Sequence, residues 1–322
     1  MTSEFDLIRE YFTQPTQHTN LGVGDDAALV TVASGMELAI SADMLVAGTH
    51  FFQDANAYKL GWKSLAVNVS DMAAMGANPK WATLAIALPH ADKHWLAEFS
   101  HGFFACANAF NVDLIGGDTT RGPLTISVQI MGEVPKGQAI KRSGAKAGDD
   151  IWISGTLGDA ALALAHMQDK LHDTLTLDDG YIEYCLHALH APQPRVELGL
   201  ALRNIATSAI DISDGLLSDL GHILKASKLG AEIHLGKLPT SAFISQHLHE
   251  KHIQQYVLAG GDDYELCFTA PVSAQQQISN LSHQLNLTLT NIGNITATPE
   301  LLVYDTLQKP IPFNKTGYDH FA

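Results

Sequence analysis

Strand-like and helix-like runs alternate along the whole chain, in two series divided by a Lys- and Gly-rich segment, Pro135 to Gly148. Such alternation requires sheets covered by helices, an α/β or α+β class with two domains in series. The boundary is expected inside that segment, giving domains 1–137 and 138–322. In the first series Ser3 is expected to cap a short helix through Phe12, with Phe5, Ile8 and Phe12 on one side. Ala27 to Val32, Glu37 to Ser41, Trp81 to Leu88, Val112 to Ile115 and Leu124 to Val134 read as strands. Residues 57–75 and Asp92 to Phe110 have helical spacing, and Gly76 stops the first of these. In the second series strands are expected over Ile151 to Ser154, Ala209 to Ile212 and Tyr264 to Thr269. Helices are expected over Asp159 to Met167, 179–189, 195–205, Leu216 to Lys225 and 273–285.

Acidic residues outnumber Lys and Arg by 34 to 19, a net charge of −15. That balance excludes nucleic acid or an anionic membrane as the main partner, since both need a basic face. Three cysteines, Cys106, Cys185 and Cys267, lie far apart without a C-x-x-C pair, which reads as reduced thiols in a cytoplasm. The first residues carry Glu4, Asp6 and Glu10 and no long apolar run, so no signal peptide is expected. No run of about 18 apolar residues occurs that could span a membrane.

Several familiar motifs fail. There is no G-x-x-x-x-G-K-[ST] phosphate loop. Gly22, Gly24 and Ala27 fit a dinucleotide fingerprint, but no strand precedes them, and Asp25 and Asp26 would press two carboxylates on a pyrophosphate. His247, His249 and His252 read as a solvated surface rather than a zinc site. No Ser-His-Asp or Cys-His arrangement has usable context.

What remains is a set of aspartates in Gly-rich or apolar settings: Asp25-Asp26 after Gly24, Asp43 after Ser41-Ala42, Asp71 after Asn68, Asp118 after Gly116-Gly117, Asp211 and Asp214 around Ser213, and Asp262-Asp263 after Gly260-Gly261. Singly, each has an ordinary explanation as a turn or helix cap, Ser213 and Asp214 being good N-cap residues. Asp71 is harder to explain that way. It sits near a helix C-terminus, where the macrodipole disfavours a carboxylate, among apolar neighbours Val69, Met72 and Ala73. Hard oxygen donors at the ends of several elements suit Mg²⁺, which keeps waters and borrows phosphate oxygens, so an acidic protein can hold a polyphosphate through metal ions. Arg121, Lys141, Arg142 and Lys146 read either as solvated residues or as a phosphate clamp.

The runs GVGDDAA, SADMLVAGTHF, AVNVSDMAAMGA, LIGGDTTRG, RSGAKAGD, AIDISDGL, GGDDYEL and GYDHF resemble, in order and over residues 4 to 321, the bacterial thiamine-monophosphate kinases. These enzymes are part of the aminoimidazole ribonucleotide synthetase-like superfamily. The resemblance implies that superfamily's two-domain fold: an N-terminal ATP/Mg²⁺-binding domain that pairs in a homodimer barrel, and an α/β C-terminal domain. It implies transfer of phosphate from ATP to thiamine monophosphate. Carried over by position, Asp26, Ser41, Ala42 (through its carbonyl), Asp43, Asp71, Asp118, Asp211 and Asp214 correspond to Mg²⁺ ligands, with Asp71, Asp118 and Asp214 at the catalytic centre. Gly117, Asp118, Arg142 and Ser213 correspond to ATP contacts, and His50, Asp262 and Tyr318 to contacts with thiamine monophosphate. The family commonly has Thr at position 42 and Glu at position 262. Asp262 is one methylene shorter than that Glu, so Asp263 could share the contact. The alternatives are another ATP-dependent enzyme of the superfamily, or a non-catalytic acidic protein that binds metal or nucleotide. A selenophosphate synthetase would want a Cys on an N-terminal Gly-rich loop and a hydrogenase factor a C-terminal Cys; the chain has neither.

Overall fold

The computed structural model describes residues 4–171, 175, 177–313 and 317–318. The chain divides into two compact units, residues 1–72 with 77–139, and residues 73–76 with 140–322. Ser3 lies outside the described residues, as do Asp319, His320 and Phe321 of the terminal motif.

The first unit is built from α1 (Glu4–Tyr11), β1 (Thr19–Leu21), β2 (Leu29–Val30), β3 (Met36–Val46), α2 (Ala57–Ala74), β4 (Asn78–Leu88), α3 (Lys93–Phe110), β5 (Asp113–Arg121) and β6 (Thr125–Pro135). Its main sheet has the order β3-β6-β4-β5, with only β4 and β5 parallel. Helices α2 and α3 meet backbone to backbone: a Cβ on Gly61 would lie 2.1 Å from the Phe99 carbonyl oxygen, and one on Gly102 would lie 1.9 Å from that of Tyr58. Only glycine permits that approach. The core holds Leu65, Val69, Met72, Trp81, Phe99, Phe103, Ile126 and Ile130. Along β3 burial alternates. Leu45 is buried and Ser41 and Asp43 half-buried, whereas Leu38, Ile40 and Met44 on the other face are exposed, the last two at 57% each.

The second unit contains β7 (Asp150–Ser154), α4 (Asp159–Met167), α5 (Asp179–His190), α6 (Val196–Ala201), β8 (Ser208–Asp211), α7 (Leu216–Ser227), β9 (Gly230–His234), α8 (Ala242–His247), α9 (Lys251–Ala259), β10 (Leu266–Ala270), α10 (Gln275–Leu285), β11 (Leu289–Thr296) and β12 (Leu301–Tyr304). Its sheet runs β12-β9-β11-β7-β10-β8, with β12 parallel to β9 and the other pairs antiparallel. Ile151 and Ile153 join one apolar cluster and Trp152 another, so both faces of β7 are covered. This is the expected mixed architecture.

Several expectations about elements change: the strand expected over Ala27 to Val32 shrinks to Leu29–Val30, and the one expected from Tyr264 begins at Leu266. Phe5 is 76% exposed, because α1 packs through Leu7, with Phe12 buried just beyond it. The helix expected over 195–205 ends at Ala201. Strand β3 continues past Ser41 to Val46, so Asp43 lies within it. Strand β5 continues through Gly116-Gly117-Asp118 instead of turning there. Gly117 makes that continuation possible: its φ is +149°, and a Cβ would lie 1.8 Å from the Leu84 carbonyl oxygen of β4. No other residue type fits so close to a neighbouring strand.

Candidate active site

In helix α2, Ser64, Asn68 and Asp71 stand at i, i+4 and i+7, a spacing that puts them on one face. That face lies along edge strand β3. Asn68 Oδ1 accepts the Asp43 backbone N–H at 3.1 Å, and the Asn68 amide donates to the Ser64 carbonyl at 3.0 Å. Ser41 Oγ donates to Asp71 Oδ2 at 2.5 Å. The structure thereby brings Ser41, Asp43 and Asp71 together, with Ala42 between the first two. Just past β3, His50 Nδ1 accepts the Val46 N–H at 3.0 Å, which puts the proton of the neutral ring on Nε2.

Asp25 and Asp26 are exposed between β1 and β2, where Asp25 Oδ1 accepts the Asp26 N–H at 2.9 Å. Asp118 is also exposed, on β5 at the sheet edge opposite β3. Three strand spacings of roughly 4.8 Å separate those edges. Among the described residues, no three His, Cys, Asp or Glu side chains converge as a ready-made metal centre. The donors are nevertheless of the right kind. Carboxylates and a hydroxyl, without His or Cys, suit Mg²⁺, and an incomplete shell suits an ion that keeps waters and phosphate oxygens.

In the second unit the expected residues do assemble. Strands β8 and β10 pair as far as Asp211 opposite Leu266, and the pairing continues irregularly beyond: Ile212 N–H to Glu265 O at 2.8 Å, Tyr264 N–H to Ile212 O at 2.8 Å, and Asp262 N–H to Ser213 O at 2.9 Å. Tyr318 N–H donates to Asp214 O at 3.0 Å, and Tyr264 Oη to Asp262 Oδ1 at 3.3 Å. Asp211, Ser213, Asp214, Asp262 and Tyr318 thus share one end of the sheet. Asp262 has φ +68°, and a Cβ on Gly261 would lie 2.3 Å from Ser213 O, so the Gly260-Gly261 pair permits the close approach. Arg142 is exposed, and its carbonyl accepts Ser227 Oγ at 3.4 Å.

Asp263, expected to share the contact of Asp262, turns its carboxyl to the start of α4. There the half-buried carboxyl accepts the Gly158 N–H at 3.0 and 3.2 Å. Burial, with Asp159, Glu265 and Asp262 nearby, holds its pKa well above the usual carboxylate range. Neither Ser213 nor Asp214 caps α7. Asp219, within the first turn, accepts the N–H groups of Ser213, Asp214 and Gly215 at 3.0, 3.0 and 3.1 Å through one oxygen. Sequence reasoning missed Asp219. Its signal was a carboxylate in the first turn of a helix, directly after the ISDG run.

The family models for AIR synthase related proteins match this chain: the N-terminal domain at residues 24–134 and the C-terminal domain at 146–305. Thiamine-monophosphate kinase of Escherichia coli K12 is 46% identical over 99% of this chain and 98% of its own length. The crystal structure of thiamine-monophosphate kinase from Stenotrophomonas maltophilia K279a superposes with a TM-score of 0.83 at 47% identity, covering 89% of this chain and 91% of that one. AaThiL complexed with AMPPCP and TMP superposes with a TM-score of 0.74 at 29% identity, covering 92% of each chain. By identity, coverage and shared architecture, the chain belongs to the thiamine-monophosphate kinase family.

Proposed function

We propose that the protein transfers the γ-phosphoryl group of ATP to the phosphate of thiamine monophosphate, giving thiamine diphosphate and ADP, in the cytoplasm and as a homodimer. The observation that carries this reading is the placement of the ISDG and GGDD runs. Asp211, Ser213, Asp214 and Asp262 meet at one sheet end beside Tyr318, in a chain 46% identical to a thiamine-monophosphate kinase. An ATP analogue and TMP are named in the complex of a 29% identical relative.

The acceptor is already an anionic phosphate oxygen, so no general base is required, in keeping with a site built of carboxylates. The obstacle is repulsion between two polyanions, about 4 kcal/mol per unit-charge pair at 4 Å and an effective dielectric near 20. Mg²⁺, when bound, supplies the charge cancellation and alignment that in-line transfer needs. Asp26, Ser41, the Ala42 carbonyl, Asp43, Asp71, Asp118, Asp211 and Asp214 are the oxygens assigned to hold it. Gly117, Asp118, Arg142 and Ser213 bind ATP. His50 donates from Nε2 to the substrate phosphate. Asp262 and the exposed ring of Tyr318 hold the cationic thiazolium, a cation–π contact being worth about 0.5–2 kcal/mol. The transfer is direct. ADP release is therefore expected only when thiamine monophosphate is supplied among a panel of phosphate acceptors. Release with another acceptor points to a different superfamily enzyme, no release to a binding protein, and ³²P retained on the chain overturns direct transfer.

The exposed apolar face of edge strand β3, with Met36, Leu38, Ile40 and Met44, supports the dimer, since monomers seldom leave such an edge uncovered. A dimer is expected by sedimentation at micromolar concentration, and Ile40→Glu should give monomers. A wild-type monomer rules the dimer out. Three buried cysteines without a disulfide agree with a reducing compartment, and no described helix is long and apolar enough to cross a membrane.

A further inference from the structure

Two buried carboxylates of the first unit reach out of the sheet that carries them to backbone N–H groups beside the β1–β2 hairpin. Asp113, at the start of β5, is 7% exposed and accepts from three consecutive residues. These are the Gln17 N–H at 2.9 and 3.0 Å, the His18 N–H at 2.6 Å and the Thr19 hydroxyl at 2.8 Å. Trp81, opposite Asp113 on β4, adds a bond from Nε1 to the His18 carbonyl at 3.1 Å. Glu133, on β6, is 3% exposed and accepts the Ala33 N–H at 2.7 Å, while Lys80 of β4 pairs with its other oxygen at 2.6 Å. Burial alone would push the Glu133 carboxyl up, but the bonds from Lys80 and Ala33 outweigh it and keep the group ionised.

Residues 17–19 and Ala33 are the two feet of the β1–β2 hairpin, and Asp25 and Asp26 lie at its tip. The hairpin strands have three and two residues, with a register shift between Thr19 and Leu21. A hairpin that short is not stable alone. Its tip is exposed, and Gly24 has open space around it. The position of Asp26 is therefore set from below, by charge-assisted hydrogen bonds to backbone that hold better than neutral ones.

We propose that Asp113 and Glu133 are positioning residues for phosphoryl transfer: they clamp both feet of the hairpin, and so present Asp26 to the Mg²⁺–polyphosphate. The proposal rests on the metal role assigned to Asp26 above, and deepens it by naming what sets the aim of that ligand. Neither carboxylate touches substrate, and a purely structural role would lower stability without changing the metal requirement.

The test uses the full chain and the variants Asp113→Asn, Glu133→Gln and Asp26→Asn, with the two doubles that include Asp26→Asn. Two readouts are independent of turnover: amide hydrogen exchange over residues 20–28, and Mn²⁺ binding in the presence of a non-hydrolysable ATP analogue. Asp113→Asn should speed exchange in that segment while leaving α2 and α3 protected. It should weaken Mn²⁺ binding, and raise the Mg²⁺ concentration for half-maximal turnover, by about tenfold, the loss typical of a residue that orients a metal ligand. The KM for thiamine monophosphate should not move. On the Asp26→Asn background Asp113→Asn should add nothing further, because the two act through one atom. If Asp113→Asn does not fold, Thr19→Val, which removes one donor from the clamp, should give the same shift at smaller size. Full additivity in the doubles, or an unchanged metal requirement in Asp113→Asn and Thr19→Val, overturns the proposal. An Asp26→Asn variant with unchanged metal affinity overturns the role of Asp26 itself, a result separable from the first.

Discussion

Asp71→Asn is expected to lower kcat by about 10³-fold, at the upper end of what removal of one charge-stabilising group costs, while the protein stays folded. The change is isosteric, and the new amide oxygen can still accept from Ser41 Oγ, now 2.5 Å from Asp71 Oδ2. The flanking Val69 and Met72 are at most 1% exposed and keep their packing. What is lost is a negative charge and a hard oxygen donor. Asp71 lies in the last turn of α2, where the helix dipole opposes a carboxylate, so neutralising it should leave the melting temperature unchanged or slightly higher. Full turnover of Asp71→Asn at ordinary Mg²⁺ would remove Asp71 from the metal set.

The same residue marks how far the sequence could be read. Helix α2 announces itself through apolar spacing, and its polar stripe through Asn68 and Asp71, so the β3–α2 part of the site was legible. Local pattern also placed β4, α3 and α4 closely. It placed the second-unit cluster only as separate runs. Asp214 and Asp262 are 48 residues apart, and they meet because β8 and β10 pair antiparallel with Asp211 opposite Leu266, a register no local pattern encodes. Gly117 was misread as a turn because glycine signals both a turn and a close strand approach, and only the Leu84 carbonyl decides between them. Edge strand β12 and its neighbour β9 are short, so periodicity gave no notice of them. Asp263 and Asp219 were hidden for another reason. A carboxylate that serves buried backbone N–H groups has the same spelling as one that serves a ligand.

Asp219→Ala is the sharpest check of that distinction. One oxygen of Asp219 receives three backbone N–H groups from the loop that carries Ser213 and Asp214, and the residue is 3% exposed. Alanine leaves those donors without an acceptor, at about 1–3 kcal/mol for each that water cannot reach, so a loss of about 3–5 kcal/mol is expected in urea unfolding. The KM for ATP should rise in parallel, because the unbraced loop no longer holds Ser213. Asp219→Asn keeps an acceptor oxygen and separates bracing from charge. Burial pushes the Asp219 carboxyl up to about 7, with the charge of Asp214 adding to it and the three N–H donors opposing it. Between the ordinary carboxylate value of 3.8 and about 7 the native state then holds a proton that the unfolded chain has released. Asp219 therefore favours the native state fully below that window, and its contribution declines as pH rises through it and is gone above about pH 7. Wild-type protein should accordingly lose more stability than Asp219→Asn between pH 4 and pH 7. Equal slopes for the two would mean that the loop's own donors, rather than burial, govern the charge of Asp219.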